Sequence, residues 1–321
     1  MKRFNNILYV VGNGSNEMTA FKRAVDLANT NQAKLTIVGV FDDIIRLKSS
    51  MPIANNLIDG IIQQKKQEIQ ELVKGISNHN LNIEIKVFTG KAFIDIIQEV
   101  ITYKRDLLIK AIEQPESFIE TLFANTDIKI LRKCPCPVWL IKAKAQDGYK
   151  QILVGLSYEP DNPEIDRINQ QILTMAGSLA LAEFSELHVV HAWRMQHEDV
   201  LRSNRSTYSK SQVDEMVKEE ELARNKWFKT TVDKSMVTLG SEASSFLKPK
   251  LHLAKGSASI IVPKLVKEIG AELIVMGTVG RSGIAGYIIG NTAETILNQI
   301  NCSVLAIKPE GFISPVTLKT T

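Results

Sequence analysis

The stretch Glu272–Glu294, "ELIVMGTVGRSGIAGYIIGNTAE", decides how the rest of the chain is read. Its first five residues are a short apolar run with the composition of a buried strand. Gly277 follows directly, and five glycines fall within the eighteen residues Gly277–Glu294. Glycine is costly inside regular structure and useful where φ is positive or a ligand approaches the backbone. Asn291 is a good helix N-cap, and Glu294 three residues on completes a capping-box-like pair. The order is therefore strand, glycine loop, helix N-terminus. That order leaves free backbone N–H groups and a positive dipole end beside a strand's C-terminus, which suits phosphate.

Sliding the sequence by 166 positions lays Lys86–Lys142 over His252–Lys308 without a gap, and 13 of the 57 positions are identical. Chance gives roughly one in sixteen for ordinary composition. Among the matches are Gly90 with Gly256, Leu107 with Leu273, Asn125 with Asn291, Cys136 with Cys302 and Lys142 with Lys308. "ILYVVGNG" at Ile7 likewise answers "ILVGLSYE" at Ile152, and "KLTIVGVF" at Lys34 answers "ELHVVHAW" at Glu186. The chain is an internal repeat.

Each half reads as the same series. Strands are expected at 6–12, 34–41, 83–88, 106–111 and 136–142, and again at 150–156, 186–193, 249–253, 272–276 and 302–308. Helices are expected at 18–31, 53–78, 91–104 and 117–133, and again at 164–182, 210–236, 257–269 and 291–299. Short apolar strands alternating with amphipathic helices predict an α/β chain of two tandem doubly wound domains, each a five-stranded parallel sheet flanked by helices. The expected domains are 1–145 and 149–310, with a tail at 311–321 and a polar linker "KAKAQDGYK" between the halves. The last strands of the two halves, both apolar, are expected to pack the chain as an intramolecular pseudo-dimer. Further homo-oligomerisation is compatible with this arrangement.

Bulk composition narrows the function. The chain has 321 residues, 39 basic and 35 acidic side chains and a net charge of +4, with the signs interspersed. That gives no basic field for nucleic acid. The apolar run at Ile7–Val11 is too short for a signal h-region, and no run reaches the length of a membrane span. Three cysteines make no disulfide framework, so the expected location is the cytoplasm.

Familiar phosphate signatures are missing. There is no GxxxxGK[ST], and in "VVGNGSNE" a glutamate at position 17 breaks the dinucleotide fingerprint. The spacing Gly277-x-x-Gly280, nine residues, Gly290-Asn291 does reproduce the G-2x-G-9x-G-(S/T/N) motif of the universal stress protein family. Together with "VMGTVGRSG…GNTAE", "EIKV…IIQEVI" and "ILRKCPCPVW", nearly the whole chain resembles two such domains in tandem, most like the family's tandem E subgroup. The resemblance implies a non-enzymatic stress-response protein that binds ATP or another nucleotide, with Mg²⁺, and acts through protein partners. It implies triphosphate contacts at Gly277, Gly280, Gly290, Asn291 and Thr292, with Met276 bordering the ribose and Ala192 the base. A plainer reading stands beside it: Gly277 and Gly283 shape a turn and Asn291 caps a helix.

This sequence departs from the family at the end of the first strand, where nucleotide binders carry Asp. Gly12 and Ser157 occupy those places. Ser157 offers a ribose or base one hydrogen bond, weaker than a carboxylate's. Opposite Gly277, Gly280 and Gly290 the first half has Ala111, Gln114 and Ala124, so it is expected to bind no triphosphate in this way. Two alternatives remain: a slow ATPase or phosphoryl-transfer enzyme, and a scaffold or carrier of an apolar or amphiphilic ligand.

Other residues carry less. His188 and His191 are three apart on a strand and face opposite ways, which disfavours a shared metal. Cys134-Pro-Cys136 is no CxxC motif; Cys136 and Cys302 enter the last strands as core residues, and redox sensing by Cys134 is a minor alternative. Arg281 lies among the glycines and could meet phosphate or solvent equally. No catalytic constellation assembles.

Overall fold

The computed structural model describes residues 4–12, 17–41, 55–75, 81–112, 125–142, 148–203, 206–278 and 290–318. In chain order the elements are β1 (Asn6–Val11), α1 (Glu17–Asn31), β2 (Lys34–Val40), α2 (Asn55–Lys74), β3 (Ile83–Phe88), α3 (Ala92–Tyr103), β4 (Leu107–Ala111), α4 (Asn125–Lys133) and β5 (Val138–Ile141). They continue as β6 (Gln151–Gly155), α5 (Pro163–Glu183), β7 (Glu186–Trp193), α6 (Glu198–Leu201), α7 (Lys210–Thr238), α8 (Ser241–Leu247), β8 (Lys250–Lys255), α9 (Ala258–Ile269), β9 (Leu273–Gly277), α10 (Asn291–Leu297) and β10 (Ser303–Ile307). Every strand expected from the sequence is present. The helix expected at 117–133 is described from Asn125 onward, its earlier part lying outside the described residues. The short helices α6 and α8 were not anticipated.

Two compact units emerge, residues 1–147 with 278–290 and 301–321, and residues 148–277 with 291–300. In the first, the strand order is β3-β2-β1-β4-β5-β10. The strands β1 to β5 are parallel neighbours. β10 closes this set by running antiparallel to β5, with Val304 opposite Leu140, Leu305 opposite Trp139 and Ala306 opposite Val138. Thus the last strands of the two repeats are paired directly. In the second unit the order is β9-β6-β7-β8, all parallel.

The inner strands are apolar because both faces are covered, whereas β3 and β8, at the ends of the order, carry charged residues and are only partly buried. Ile7, Leu8, Leu107, Leu108, Val138 and Leu140 are wholly buried, as are Ile152, Leu153, Leu273 and Ile274 in the second unit. α1 presents Ala20, Ala24 and Ala28 at helical spacing, with Phe21 and Val25 beside them, to its sheet. α5 starts where Asn162 accepts the Glu164 N–H at 3.1 Å with Pro163 in the first turn. α7 starts with a full capping box between Ser209 and Gln212. Among the described residues no helix is long and apolar enough to cross a membrane.

Candidate functional site

In the second unit the chain leaves β6 for β7 and β8 on one side, then returns to β9 on the other. The connections therefore diverge at the C-terminal ends of β6 and β9, where open α/β sheets bind ligands. Gly155 pairs with Met276 there, and Gly277 ends β9. Met276 is buried. Ser157, two residues past β6, is exposed.

Backbone hydrogen bonds fix the Ser157 position. Its N–H donates to Asn169 Oδ1 at 3.2 Å, and Asn169 Nδ2 donates back to Ser157 O at 2.6 Å. Asn169 is a buried residue of α5. Nothing local in the sequence marks this clamp; the only signal is a polar side chain on the apolar face of a helix.

Gly277 has a packing reason for being glycine. A Cβ there would meet Ile168 Cδ1 at 3.2 Å and Ile172 Cδ1 at 3.7 Å, so the strand end lies against α5. This is a packing reason, separate from both the turn and the phosphate contact expected of this residue. Ala192 is half-buried in β7 opposite Ala254 of β8. α10 opens at Asn291, and both Asn291 and Thr292 are exposed. Gly290 donates its N–H to Thr278 O at 3.1 Å, joining the two ends of the glycine stretch. Gly280, Arg281 and Gly283 lie outside the described residues, as do Gln114 and Ala124 of the first half.

Beside Ser157 the sequence left an aromatic cluster unread. Tyr158 meets Trp227 of α7 edge-on at 4.7 Å, and Trp227 meets His191 of β7 at 4.9 Å. Arg224, one turn before Trp227, places its guanidinium 3.9 Å over the Tyr158 ring. His191 Nδ1 lies 3.2 Å from Leu156 O. The long charged helix α7 therefore packs on the β6 strand end through aromatic rings, which its surface charges conceal in the sequence.

The corresponding edge of the first unit, between β1 and β4, is built differently. Gly12 N–H donates to Glu17 Oε2 at 2.9 Å. The Tyr9 hydroxyl donates to the other oxygen of that carboxylate and lies 3.1 Å from Glu17 O. Burial pushes the Glu17 carboxyl above its ordinary range, against hydrogen bonds from Tyr9 and Gly12 and the charges of Lys110 and Lys65. Lys110 of β4 makes a buried ion pair with Asp127 of α4 at 3.0 Å. Where the second unit holds a strand-end amide with a neutral carboxamide, the first holds it with a carboxylate.

His188 and His191 go to different surroundings. His188 Nδ1 is 2.9 Å from His252 Nε2, and its Nε2 is 2.9 Å from Gln151 Oε1. Cys134, Cys136 and Cys302 are buried and form no disulfide. Among the described residues no group of three His, Cys, Asp or Glu side chains is arranged to hold a metal ion.

The family model described as "Universal stress protein family" matches residues 3–142 and again 148–308. Universal stress protein E of Escherichia coli strain K12 is 27% identical over 99% of this chain and 98% of its own length. The protein of the same name from Photorhabdus laumondii is 24% identical over 98% of each. A functionally unknown protein of Pseudomonas aeruginosa PAO1 shares the fold with a TM-score of 0.66 at 21% identity, covering 97% of this chain and 95% of that one. A universal stress protein of Archaeoglobus fulgidus does so with a TM-score of 0.60 at 16% identity, covering 95% and 98%. Two matches that together span almost every residue, on a doubly wound α/β fold, establish that this chain belongs to the universal stress protein family.

Proposed function

We propose that the second half binds a nucleotide or related phosphate-bearing ligand, that it performs no chemistry on it, and that the protein acts in a cytoplasmic stress response through partner proteins. One observation carries the reading. The Ser157 amide at the end of β6 is held by the neutral Asn169 carboxamide, whereas the Gly12 amide at the end of β1 is held by the Glu17 carboxylate. Both amides are already taken by an acceptor, but the acceptor at the second edge is neutral, whereas a phosphate approaching the first meets a carboxylate. At the second it meets an exposed serine on a fixed backbone, beside a strand that ends in glycine. This difference in charge supports a phosphate in the second half rather than the first.

Gly280, Gly290, Asn291 and Thr292 complete the reading through the spacing they share with the family's phosphate motif. A Mg²⁺ ion would arrive with the ligand and be held mainly by its phosphates and water, as is usual for this ion. Native mass spectrometry of the purified protein, followed by calorimetry with ATP and inorganic phosphate, tests the proposal. The expected result is one phosphate-bearing ligand per chain. Release of an apolar molecule instead, with no heat from either titrant, would favour a carrier.

A further inference from the structure

The Cys134-Pro135-Cys136 turn belongs neither to the ligand edge nor to the glycine stretch. α4 ends at Lys133, and the Cys134 N–H still donates to Ile130 O at 2.9 Å. The chain then bends at residues 135–136 before β5 begins at Val138. The bend turns the two side chains towards each other. Their Sγ atoms are 3.5 Å apart, with Cys134 fully buried and Cys136 6% exposed. A disulfide needs its sulfurs at about 2.05 Å, so closure asks for a sulfur movement of about 1.5 Å.

Lys308 of the same unit is also buried, and its ammonium donates to Leu131 O at 2.6 Å and Thr278 Oγ1 at 2.8 Å. Leu131 lies one turn before the thiols. Burial alone would raise the Cys134 thiol, but hydrogen bonds from Cys136 and the Lys308 charge hold it below its ordinary range. Burial, together with the hydrogen bond and charge of Cys134, pushes Cys136 well above that range. Of the two, Cys134 is the readier to give up its proton.

We propose that Cys134 and Cys136 form a reversible dithiol–disulfide site, oxidised by hydroperoxides. Cys134 gives up its proton and its sulfur attacks a hydrogen peroxide oxygen. An S–O bond forms, the O–O bond breaks, and the departing hydroxide leaves as water with that proton. The Cys136 sulfur then attacks the sulfenic sulfur of Cys134. The S–S bond forms, the S–O bond breaks, and hydroxide leaves as a second water with the Cys136 proton. Two electrons have passed from the thiols to the peroxide.

The test uses the intact protein. Reduced native chain is exposed to a small molar excess of hydrogen peroxide, then denatured in iodoacetamide and digested with trypsin. The peptide Cys134–Lys142 is expected unalkylated and two hydrogens lighter, and doubly alkylated after dithiothreitol. Cys136→Ser is expected to leave Cys134 as a sulfenic acid that dimedone traps. Lys308→Met is expected to slow disulfide formation several-fold, while Lys308→Arg keeps most of the rate. Full alkylation of both thiols after peroxide, or a disulfide seen only when the chain is unfolded in urea, would overturn the proposal. If Lys308→Met does not fold, the wild-type peptide and the Cys136→Ser trap still decide it.

Discussion

Lys308 Nζ lies 2.8 Å from Thr278 Oγ1. Both residues are buried, and Thr278 is the residue that follows Gly277 at the start of the glycine stretch. A lysine of the last strand region therefore ties down the second residue of that stretch. Thr278 in turn accepts the Gly290 N–H at 3.1 Å. The two ends of the stretch are held by one ammonium and one backbone bond.

This bond has a pH signature. Burial pushes the Lys308 ammonium down to about 8, against the favourable charges of Cys134 and Cys136. An unfolded lysine titrates at about 10.4. Between those values the unfolded chain binds more protons than the native one, so the lysine's contribution to stability rises with pH. Wild type is expected to gain on the order of 1 to 3 kcal/mol over Lys308→Met between pH 8 and pH 10.5, since each tenfold difference in proton affinity between the two states is worth about 1.4 kcal/mol. Urea denaturation across that range measures it. Parallel profiles for the two proteins would show that Lys308 is not displaced from its solution behaviour.

The His188–His252 contact predicts the opposite limb. Burial is the largest cause lowering both imidazoles, joined by the His252 charge at His188 and the Lys250 charge at His252. Glu186, 3.6 Å from His188 Nε2, and Glu268 pull weakly the other way. Both folded values lie below the unfolded one of about 6.5. Stability from this pair is therefore present above that pH and lost as pH falls below it. His252→Gln keeps a hydrogen-bonding group without the proton. Its loss of Tm between pH 7.5 and pH 5 is expected to be smaller than that of wild type, by roughly 1 kcal/mol expressed as stability. An equal loss in both proteins would remove the pair from the acid response.

Asn169 is the residue on which the Ser157 position rests. Asn169→Ala removes two hydrogen bonds and leaves the Ser157 backbone without its buried partner. The expected cost is about 1–3 kcal/mol of stability. Phosphate-ligand affinity should fall as well, because the strand end is no longer held. Ser157→Ala, which keeps the backbone clamp, should leave stability within about 0.5 kcal/mol of wild type. Calorimetry and chemical denaturation on the same two variants separate these effects. Loss of stability in Ser157→Ala equal to that in Asn169→Ala would refute the clamp.

Much of this was legible before the structure. Runs such as Ile7–Val11 and Leu273–Met276 have the length and composition of buried strands, and the repeat of Lys86–Lys142 doubled the evidence for its elements. The glycine spacing led to the family. The Asn169 clamp was not legible, because an asparagine inside a helix reads as a mere exception to its apolar stripe. Glu17 was read only as the residue that spoils a glycine fingerprint. Its positive role, accepting the Gly12 N–H, depends on how α1 returns over β1. The Tyr158–Trp227–Arg224 cluster joins residues from distant parts of the chain, and the charge-rich sequence of α7 gave no periodic sign of it.

The glycine reading has its own test. A Cβ at Gly280 or Gly290 would block the approach of a phosphate to backbone N–H groups and disfavour positive φ. Gly280→Val and Gly290→Val are each expected to weaken phosphate-ligand binding at least tenfold, about 1.4 kcal/mol. Ala111→Gly in the first half should change binding little, since Glu17 still occupies the neighbouring strand-end amide. Titration of all three variants with ATP decides the matter. Parental affinity in both valine variants would show that the glycines only shape the chain.

Phosphoryl transfer needs a metal held in place, a positioned nucleophile and groups that stabilise charge on the moving phosphoryl. Ser157 stands where family nucleotide binders carry an acid, and its backbone is engaged with Asn169, a neutral side chain that is neither base nor metal ligand. His191, whose ring contacts the residues on either side of Ser157, is buried among Trp227 and Phe228, with Nδ1 at Leu156 O. It is placed to pack, not to take a proton from water at an exposed strand end. Purified protein with ATP and Mg²⁺ is therefore expected to release phosphate at the rate of the protein-free control. Ordinary enzymes turn over at roughly 1 per second or faster. A rate approaching that scale, abolished by Gly280→Val and retained in Ala111→Gly, would replace the binding proposal with an enzymatic one.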